Sequence, residues 1–365
     1  MPEIFNPIKI VEFVYTNKCN LSCSHCISNC GPHKKGKIDL ERVLQIIELL
    51  PDFKINRIGI TGGESLLFFD EIIKVISTAK KHKIKANLIS NGFWASNKEN
   101  TEKIISELSD AGLTFLNISV DKFHSKFVPV QNAFNVFDVI RKRKQIYGCL
   151  RFCSTKDSSL LEFIGQNLDY FKGINSKERS FLLFSQEVIP MGRAFDNIPK
   201  EKYSYKNHVV KCKCPFLGLP TIEYDGKVLV CCNTFEDNDF KEKTAFELAD
   251  FNSDSPKTVI KSYRNNLFVF YLRNKGPYFI SQLAEKHKLK KVNKPKKLLD
   301  GYMGLCDYCL INLSQYSKEE MDNMLLQEFN KDRKMQLLAK KELIKSKTKP
   351  KKKKTNKKDF NFWQD

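Results

Sequence analysis

Ile8-Lys9-Ile10-Val11-Glu12-Phe13-Val14-Tyr15 runs through three residues into Cys19-x-x-x-Cys23-x-x-Cys26, and the rest of the chain can be ordered around this join. The leading eight residues read as a β-strand. The cysteines therefore sit in the loop leaving a strand's C-terminal end, where α/β proteins place reactive groups. Three thiolates hold three corners of a four-iron cube and leave the fourth iron open. A structural zinc knot is the competing reading. Zinc sites, however, are usually built from paired Cys-x-x-Cys or Cys/His units, and no such partner follows nearby. Asn56 to Thr61 reads as a second strand and runs directly into Gly62-Gly63-Glu64. Two glycines let the backbone approach a ligand closely, and Glu64 can accept hydrogen bonds from an ammonium group.

Composition narrows the setting. The chain of 365 residues is long enough for one barrel-sized domain and a smaller one. It has no run of 18 apolar residues to span a membrane and no secretory signal pattern. Twelve cysteines in such a chain point to reduced thiols holding metal in a cytoplasmic protein. The formal net charge is +20, and Lys341 to Lys358 holds ten lysines against one glutamate. Almost no apolar residue follows Ile344 there, so 347–365 is expected to be a disordered basic tail. A second basic run, Lys286 to Lys297, precedes a late cysteine pair. Such runs contact nucleic acid or acidic peptides, or are simply solvated. Phe360, Phe362 and Trp363 come only after the tail lysines, which leaves base stacking little support.

The first half alternates strand and helix. Strands are expected at about 8–15, 56–61, 85–90, 114–120, 149–154 and 181–186, with helices at about 39–50, 69–83, 98–110, 131–147 and 157–171. Asp39 is a plausible N-cap for the first helix. Alternating βα units favour a parallel sheet with right-handed crossovers.

The cysteine triplet followed by Gly62-Gly63-Glu64 after the second strand resembles the signature of the radical S-adenosylmethionine (SAM) enzymes. The resemblance covers roughly residues 8 to 195 and implies a partial (β/α)6 TIM-type barrel with its site at the strands' C-terminal ends. It implies a [4Fe-4S] cluster on Cys19, Cys23 and Cys26 and SAM chelating the open iron, with Gly62, Gly63 and Glu64 on the methionyl amine. Ser90 and Asn91 match the polar turn that faces the cofactor after the third strand. Ser119 and Asp121, ending the fourth, resemble the residues on the ribose and methionine carboxylate. Pro190-Met191-Gly192-Arg193-Ala194 resembles the stretch near the adenosine side, which assigns Arg193 to the cofactor. The fifth strand departs from the family by lacking its Gly-x-Ile-x-Gly-x-x-Glu adenine pattern.

A second set of cysteines follows. Thr221 to Tyr224 and Lys227 to Val230 flank Asp225-Gly226, a strong hairpin signal that brings Cys214 and Cys231 to neighbouring ends of a ribbon. Cys306-Asp307-Tyr308-Cys309 adds two more thiols, enough for full ligation. A four-cysteine zinc ribbon is the alternative, and Cys212 and Cys232 are alternative ligands. The Cys-x(11)-Gly-x(4)-Cys spacing is similar to the SPASM and twitch extensions. With no cysteine after Cys309, the resemblance implies the shorter twitch type with one auxiliary [4Fe-4S] cluster. The expected divisions are a core over 1–200, a twitch/SPASM-like domain over 201–317, a C-terminal helix over 318–346 and the tail.

Five cysteines remain: Cys30, Cys149, Cys153, Cys212 and Cys232. A free cysteine is often a small buried hydrophobe. Cys149 and Cys153, however, share parity with Arg151 on the fifth strand. A thiol lining the barrel would be placed to return a hydrogen atom to a substrate radical. By resemblance the chain is an enzyme modifying a peptide or protein, by epimerisation, crosslinking or oxidation. The expected partners are that substrate, a separate leader-binding protein and an electron donor such as flavodoxin or ferredoxin. A small-molecule radical dehydrogenase and a non-catalytic metal-binding protein contacting nucleic acid are the alternatives.

Overall fold

The computed structural model describes residues 2–143, 145–174, 181–204, 213–214, 217–232, 242–293 and 305–348. Six parallel strands follow one another across one sheet: β1 (Val11–Val14), β2 (Arg57–Thr61), β3 (Lys85–Ser90), β4 (Leu113–Ser119), β5 (Tyr147–Ser154) and β6 (Phe181–Glu187). The intervening helices are α1 (Leu40–Leu49), α2 (Phe69–Lys81), α3 (Lys98–Ala111), α4 (Val130–Arg143), α5 (Leu160–Gln166) and α6 (Leu168–Lys172). This is the partial (β/α)6 TIM-type architecture. Asp39 caps α1 by accepting from the Arg42 N–H at 2.9 Å. The single helix expected over 157–171 is two, because it breaks at Asn167.

Alternation along the strands sorts the side chains. Val11, Phe13, Ile58, Ile60, Ala86, Leu88, Leu116, Ile118, Leu150 and Phe152 are buried beneath the helices. The opposite face carries Glu12, Gly59, Asn87, Asn117, Cys149, Arg151 and Cys153. A buried parallel strand normally reads as unbroken apolar sequence. These polar positions therefore mark the lumen.

After β6 comes a short helix, α7 (Arg193–Asn197). The chain then returns to the other edge of the same sheet. β7 (Thr221–Ile222) pairs in parallel with β1, β8 (Lys227–Leu229) runs antiparallel to β7, and β9 (Glu247–Asp250) completes the order β6-β5-β4-β3-β2-β1-β7-β8-β9. The expected hairpin is present. It turns over Glu223–Gly226, with the Gly226 N–H bonded to the Glu223 carbonyl at 2.9 Å. The sheet thus continues across the boundary expected near residue 200.

Helices α8 (Pro256–Arg264), α9 (Leu267–Lys275), α10 (Pro277–Lys286), α11 (Leu305–Leu313), α12 (Lys318–Lys331) and α13 (Arg333–Lys347) follow. The helix expected over 318–346 is broken at Asp332, whose carboxylate caps α13 through the Lys334 and Met335 N–H groups. α13 ends near Lys54, whose ammonium donates to the Ser346 carbonyl. Lys54 precedes β2, so this helix covers the end of the barrel opposite the cysteine loop. No described helix is long and apolar enough to cross a membrane. The tail from 349 onward and Cys212 lie outside the described residues.

One buried amide joins the N-terminal segment to the C-terminal helices. The Asn6 side chain donates to the carbonyls of Tyr263, Arg264 and Asn266 at 3.1, 3.2 and 2.8 Å. Replacing Asn6 with alanine leaves buried carbonyls without that donor and should cost about 1–3 kcal/mol. Urea unfolding should show a lower midpoint with an unchanged slope.

Candidate active site

The cysteine loop is closed on itself before any other element touches it. Thr16 Oγ1 and the Asn17 N–H both donate to the Gly36 carbonyl, the Gly31 N–H donates to Asn17 O, and the Cys19 N–H donates to Gly31 O. The turn after β2 then grips its stem. The Gly63 N–H donates to Thr16 O at 2.6 Å and the Glu64 N–H to Lys18 O at 2.9 Å. A Cβ on Gly62 would stand 2.4 Å from Thr16 O, and one on Gly63 would stand 2.1 Å from Lys18 O. The two glycines were expected to admit a ligand. In the structure they admit the cysteine loop itself.

Glu64 is fully buried. Its carboxylate accepts from Leu66 N–H at 3.2 Å, Ser90 Oγ at 3.0 Å and Asn91 N–H at 2.8 Å. Burial pushes its pKa up to about 7 against these donors. Glu64 thus ties the end of β2 to the end of β3. The Asn91 amide continues the link to Asn20 Oδ1 at 2.9 Å, inside the cysteine loop. With three donors in place, its Oε2 atom still has lone-pair capacity for an ammonium.

Arg193 lies where the sequence resemblance placed the adenosine, but its contacts are to the cysteine loop. Its backbone N–H donates to Cys26 O at 2.9 Å, its Nε to Cys23 O at 3.0 Å and its Nη1 to Asn29 Oδ1 at 3.2 Å. Gly192 adopts φ 53°, and a Cβ there would meet Ile27 O at 2.2 Å. Only glycine lets Arg193 reach in at that height.

The three thiols share one electrostatic neighbourhood. Burial raises Cys19 to about 11 and pushes Cys23 well above the usual thiol range, with Cys26 adding to both. Cys26 is pulled down to about 6, first by a hydrogen bond from the Cys30 side chain and also by the Arg193 charge. Cys30, read as a small buried hydrophobe, has a polar task here.

Two histidines escaped the sequence reading. Asp121 is 1% exposed and accepts from the Phe123 and His124 N–H groups, from His124 Nδ1 at 2.9 Å and from the Cys153 N–H at 3.3 Å. His25 stacks on Phe123 at 4.5 Å and meets His124 edge-on at 4.8 Å. Ligand atoms of Cys23, His25 and His124 lie within 4.8 Å of one another, as do those of His25, Asp121 and Cys153. Burial lowers His25 to about 4 and keeps it neutral. Burial also opposes charge on His124, but the Asp121 carboxylate outweighs it and raises the pKa. A lone His between two cysteines and another three residues after an Asp were the signals available. Asp121 was expected among the contacts to the ribose and methionine carboxylate of SAM, and within the fold its carboxylate accepts from these partners.

Ser119 is half-buried at the end of β4 and pairs in register with Arg151. Cys149 and Cys153 share the lumen face with Arg151. Burial raises them to about 11 and 12. Gln186 Nε2 donates to the Cys153 sulfur at 3.6 Å.

Residues 13–148 match the family described as the radical SAM superfamily. That stretch carries the chain's radical SAM domain. Its cofactors are a [4Fe-4S] cluster and SAM, and the residues present fit them. Three thiols converge in one loop, Arg193 stands beside them to offset thiolate charge, and Glu64 keeps acceptor capacity next to the loop.

Among relatives, the chain is 25% identical over 308 residues to "Putative peptide biosynthesis protein YydG" of Bacillus subtilis (strain 168). That match covers 82% of this chain and 91% of the relative. It is 27% identical over 179 residues to "Probable GTP 3',8-cyclase" of Pyrococcus horikoshii, covering 47% of this chain and half of that protein. Among solved structures, anSMEcpe with bound AdoMet and the Cp18Cys peptide aligns at TM-score 0.46 and 15% identity, over 92% of this chain and 99% of that one.

Outside the radical SAM core, the thiols of the second cysteine set act on one another electrostatically. Burial and the neighbouring Cys232, Cys214, Cys306 and Cys309 push Cys231 far above its ordinary pKa, and Cys309 responds to burial, Cys214 and Cys306. Cys306 and Cys309 lie three apart in α11, on one helical face.

The Asp121–His124 pair makes a pH prediction. Asp121 is depressed below 3.8, so its share of stability is present above that value and lost only as pH falls through its lower folded pKa. His124 is raised above 6.5, so its share is present below 6.5 and lost as pH rises through its folded pKa. Asp121→Asn should cost about 3 kcal/mol near pH 5.5. Anaerobic melting of both proteins at pH 5.5 and 8.5 should show a smaller gap at the higher pH.

Proposed function

We propose that this radical SAM enzyme modifies a peptide or protein substrate, in the manner of a maturase of ribosomally made peptides. The extent of the matches carries this reading. Similarity to the cyclase stops at about half the chain, whereas similarity to the peptide biosynthesis protein runs through 82% of it and so includes the β7–β9 extension and part of the second cysteine set. When bound, cluster and SAM supply a 5′-deoxyadenosyl radical that takes a hydrogen atom from an unactivated carbon.

In this proposal Cys19, Cys23 and Cys26 hold the cluster, while Gly62, Gly63 and Glu64 fix its loop and face the methionyl ammonium. Ser90 and Asn91 orient Glu64, and Ser119 keeps a hydroxyl available for the ligand. Asp121 and Arg193 act through their neighbours, one holding His124 and the other the loop. The apolar shell of Leu21, Phe123, Val128, Val188 and Tyr203 around the loop excludes water. Cys214, Cys231, Cys306 and Cys309 would hold one auxiliary [4Fe-4S] cluster of the twitch/SPASM kind. An electron donor such as flavodoxin or ferredoxin, a separate leader-binding protein and a cytoplasmic setting complete the proposal.

Cys153 and Cys149 are the proposed hydrogen donors. The S–H bond breaks as a C–H bond forms at the substrate radical, and the thiyl left behind takes one electron and one proton from the reductant before the next turnover. Cys153 is the better placed, since its backbone N–H joins the Asp121 cluster and Gln186 donates to its sulfur.

Anaerobic reconstitution followed by a dithionite-driven SAM cleavage assay tests the reading. Wild type should bind about eight irons and form 5′-deoxyadenosine, and a Cys19/Cys23/Cys26→Ala variant about four irons and none. Zinc in place of iron would end the two-cluster proposal. With a precursor peptide in hand, Cys153→Ala should still release deoxyadenosine but lose at least about tenfold in a product whose carbon regains hydrogen, a barrier change of about 1.4 kcal/mol. Product formed at the wild-type rate by both the Cys153→Ala and Cys149→Ala variants would remove the thiols from the mechanism.

A further inference from the structure

The lumen face of the barrel holds two opposite charges that do not meet. Glu12 projects from β1 and Arg151 from β5, with three strands between them in the sheet. Both stand on the lumen face of the partial barrel, so they line the same cavity from opposite parts of the sheet. No ion pair within 4.0 Å joins them. Arg151 instead donates to Gln186 Oε1 at 2.9 Å and lies over the Phe184 ring, 5.3 Å from its centroid. Burial pushes Glu12 up to about 7 even with Arg151 opposing it.

The wall around Glu12 is shaped for its carboxylate. Register sets Glu12 beside Gly59, and Gly59 beside Asn87. A Cβ on residue 59 would stand 2.0 Å from Glu12 Oε2, so the missing side chain lets the carboxylate lie across β2. In the same row the Asn87 side chain is 7% exposed, and its amide nitrogen has no hydrogen-bond partner. An unpartnered donor and an unclosed charge pair in a low-dielectric space are costly unless a polar ligand completes them.

We propose that Glu12, Asn87 and Arg151 form a slot that grips the main chain of the substrate peptide, with an N–H directed at Glu12 and carbonyls at Asn87 and Arg151. The inference rests on the peptide reading above and adds the residues that recognise the backbone. A carboxylate accepts and a guanidinium donates, so an extended chain running between the walls offers each its complement. Recognition through the backbone leaves side-chain choice to the rest of the lumen. It also holds a Cα on the strand face that carries Cys149 and Cys153.

The test uses full-length, cluster-loaded protein with SAM under anaerobic conditions, and a displayed library of random linear twelve-residue peptides as the probe. Wild type should enrich a related set of sequences. Glu12→Gln and Arg151→Lys should each bind those peptides at least tenfold more weakly, with iron content and melting temperature retained. N-methylation at one backbone position should weaken wild-type binding to a similar degree and cost Glu12→Gln nothing further. Should Glu12→Gln fail to fold, Glu12→Asp and the N-methyl scan on wild type decide the matter. Unchanged affinity in the variants, or no methylated position coupled to Glu12, would overturn the slot while leaving the peptide reading intact. Enrichment of nothing by wild type would overturn both.

Discussion

Two backbone hydrogen bonds, from Gly63 N–H to Thr16 O and from Glu64 N–H to Lys18 O, set the position of everything at the mouth of this barrel. They are possible only because the turn after the second strand consists of residues without a Cβ, which lets two main chains touch. The contact ties the cysteine loop to the end of β2. From it the constraint spreads outward: Glu64 holds Ser90 and Asn91, Asn91 returns to Asn20, and Arg193 closes the loop from beyond β6. The ends of the first, second, third and sixth strands thereby meet at three cysteines.

Much of this was legible because it is local. The cysteine spacing, the Gly-Gly-Glu turn, the Asp39 cap and the Asp-Gly hairpin each lie within a few residues, where sterics and hydrogen bonding leave few options. The division of labour among the polar residues was not. Arg193 and Asp121 were expected at the cofactor because they stand at the right strand ends, and the structure adds contacts for each within the fold. The link from Arg193 to Asn29 is visible only once the chain has closed, as is that from Asp121 to Cys153. His25 between two cysteines and His124 three residues after Asp121 were weak signals, and neither spacing says that the two rings meet. The break at Asp332 was hidden because an aspartate inside a helical run reads as solvated surface until its carboxylate turns to cap the next helix.

The same limit explains the second cysteine set. Sequence spacing brought Cys214 to Cys231 through the hairpin, and joined Cys306 to Cys309 within one helical turn. It could not say that the hairpin would add to the barrel's own sheet. Two backbone pairings do that, Glu12 with Thr221 and Phe13 with Ile222.

Strand β1 therefore works in three directions at once. One edge pairs with β2, whose end grips the cysteine loop, and the other edge pairs with β7, whose hairpin leads to Cys231. Its outer face buries Val11 and Phe13, and its inner face carries Glu12. A slip of one residue in β1 would exchange these faces, putting Phe13 in the lumen and Glu12 in the core. It would also shift the two cysteine sets relative to each other. The four residues of β1 are short for a central strand, and that economy is tolerable because register is fixed from both sides and from the loop beyond. The placement of the β7–β8 hairpin relative to the cysteine loop is then set through one short strand.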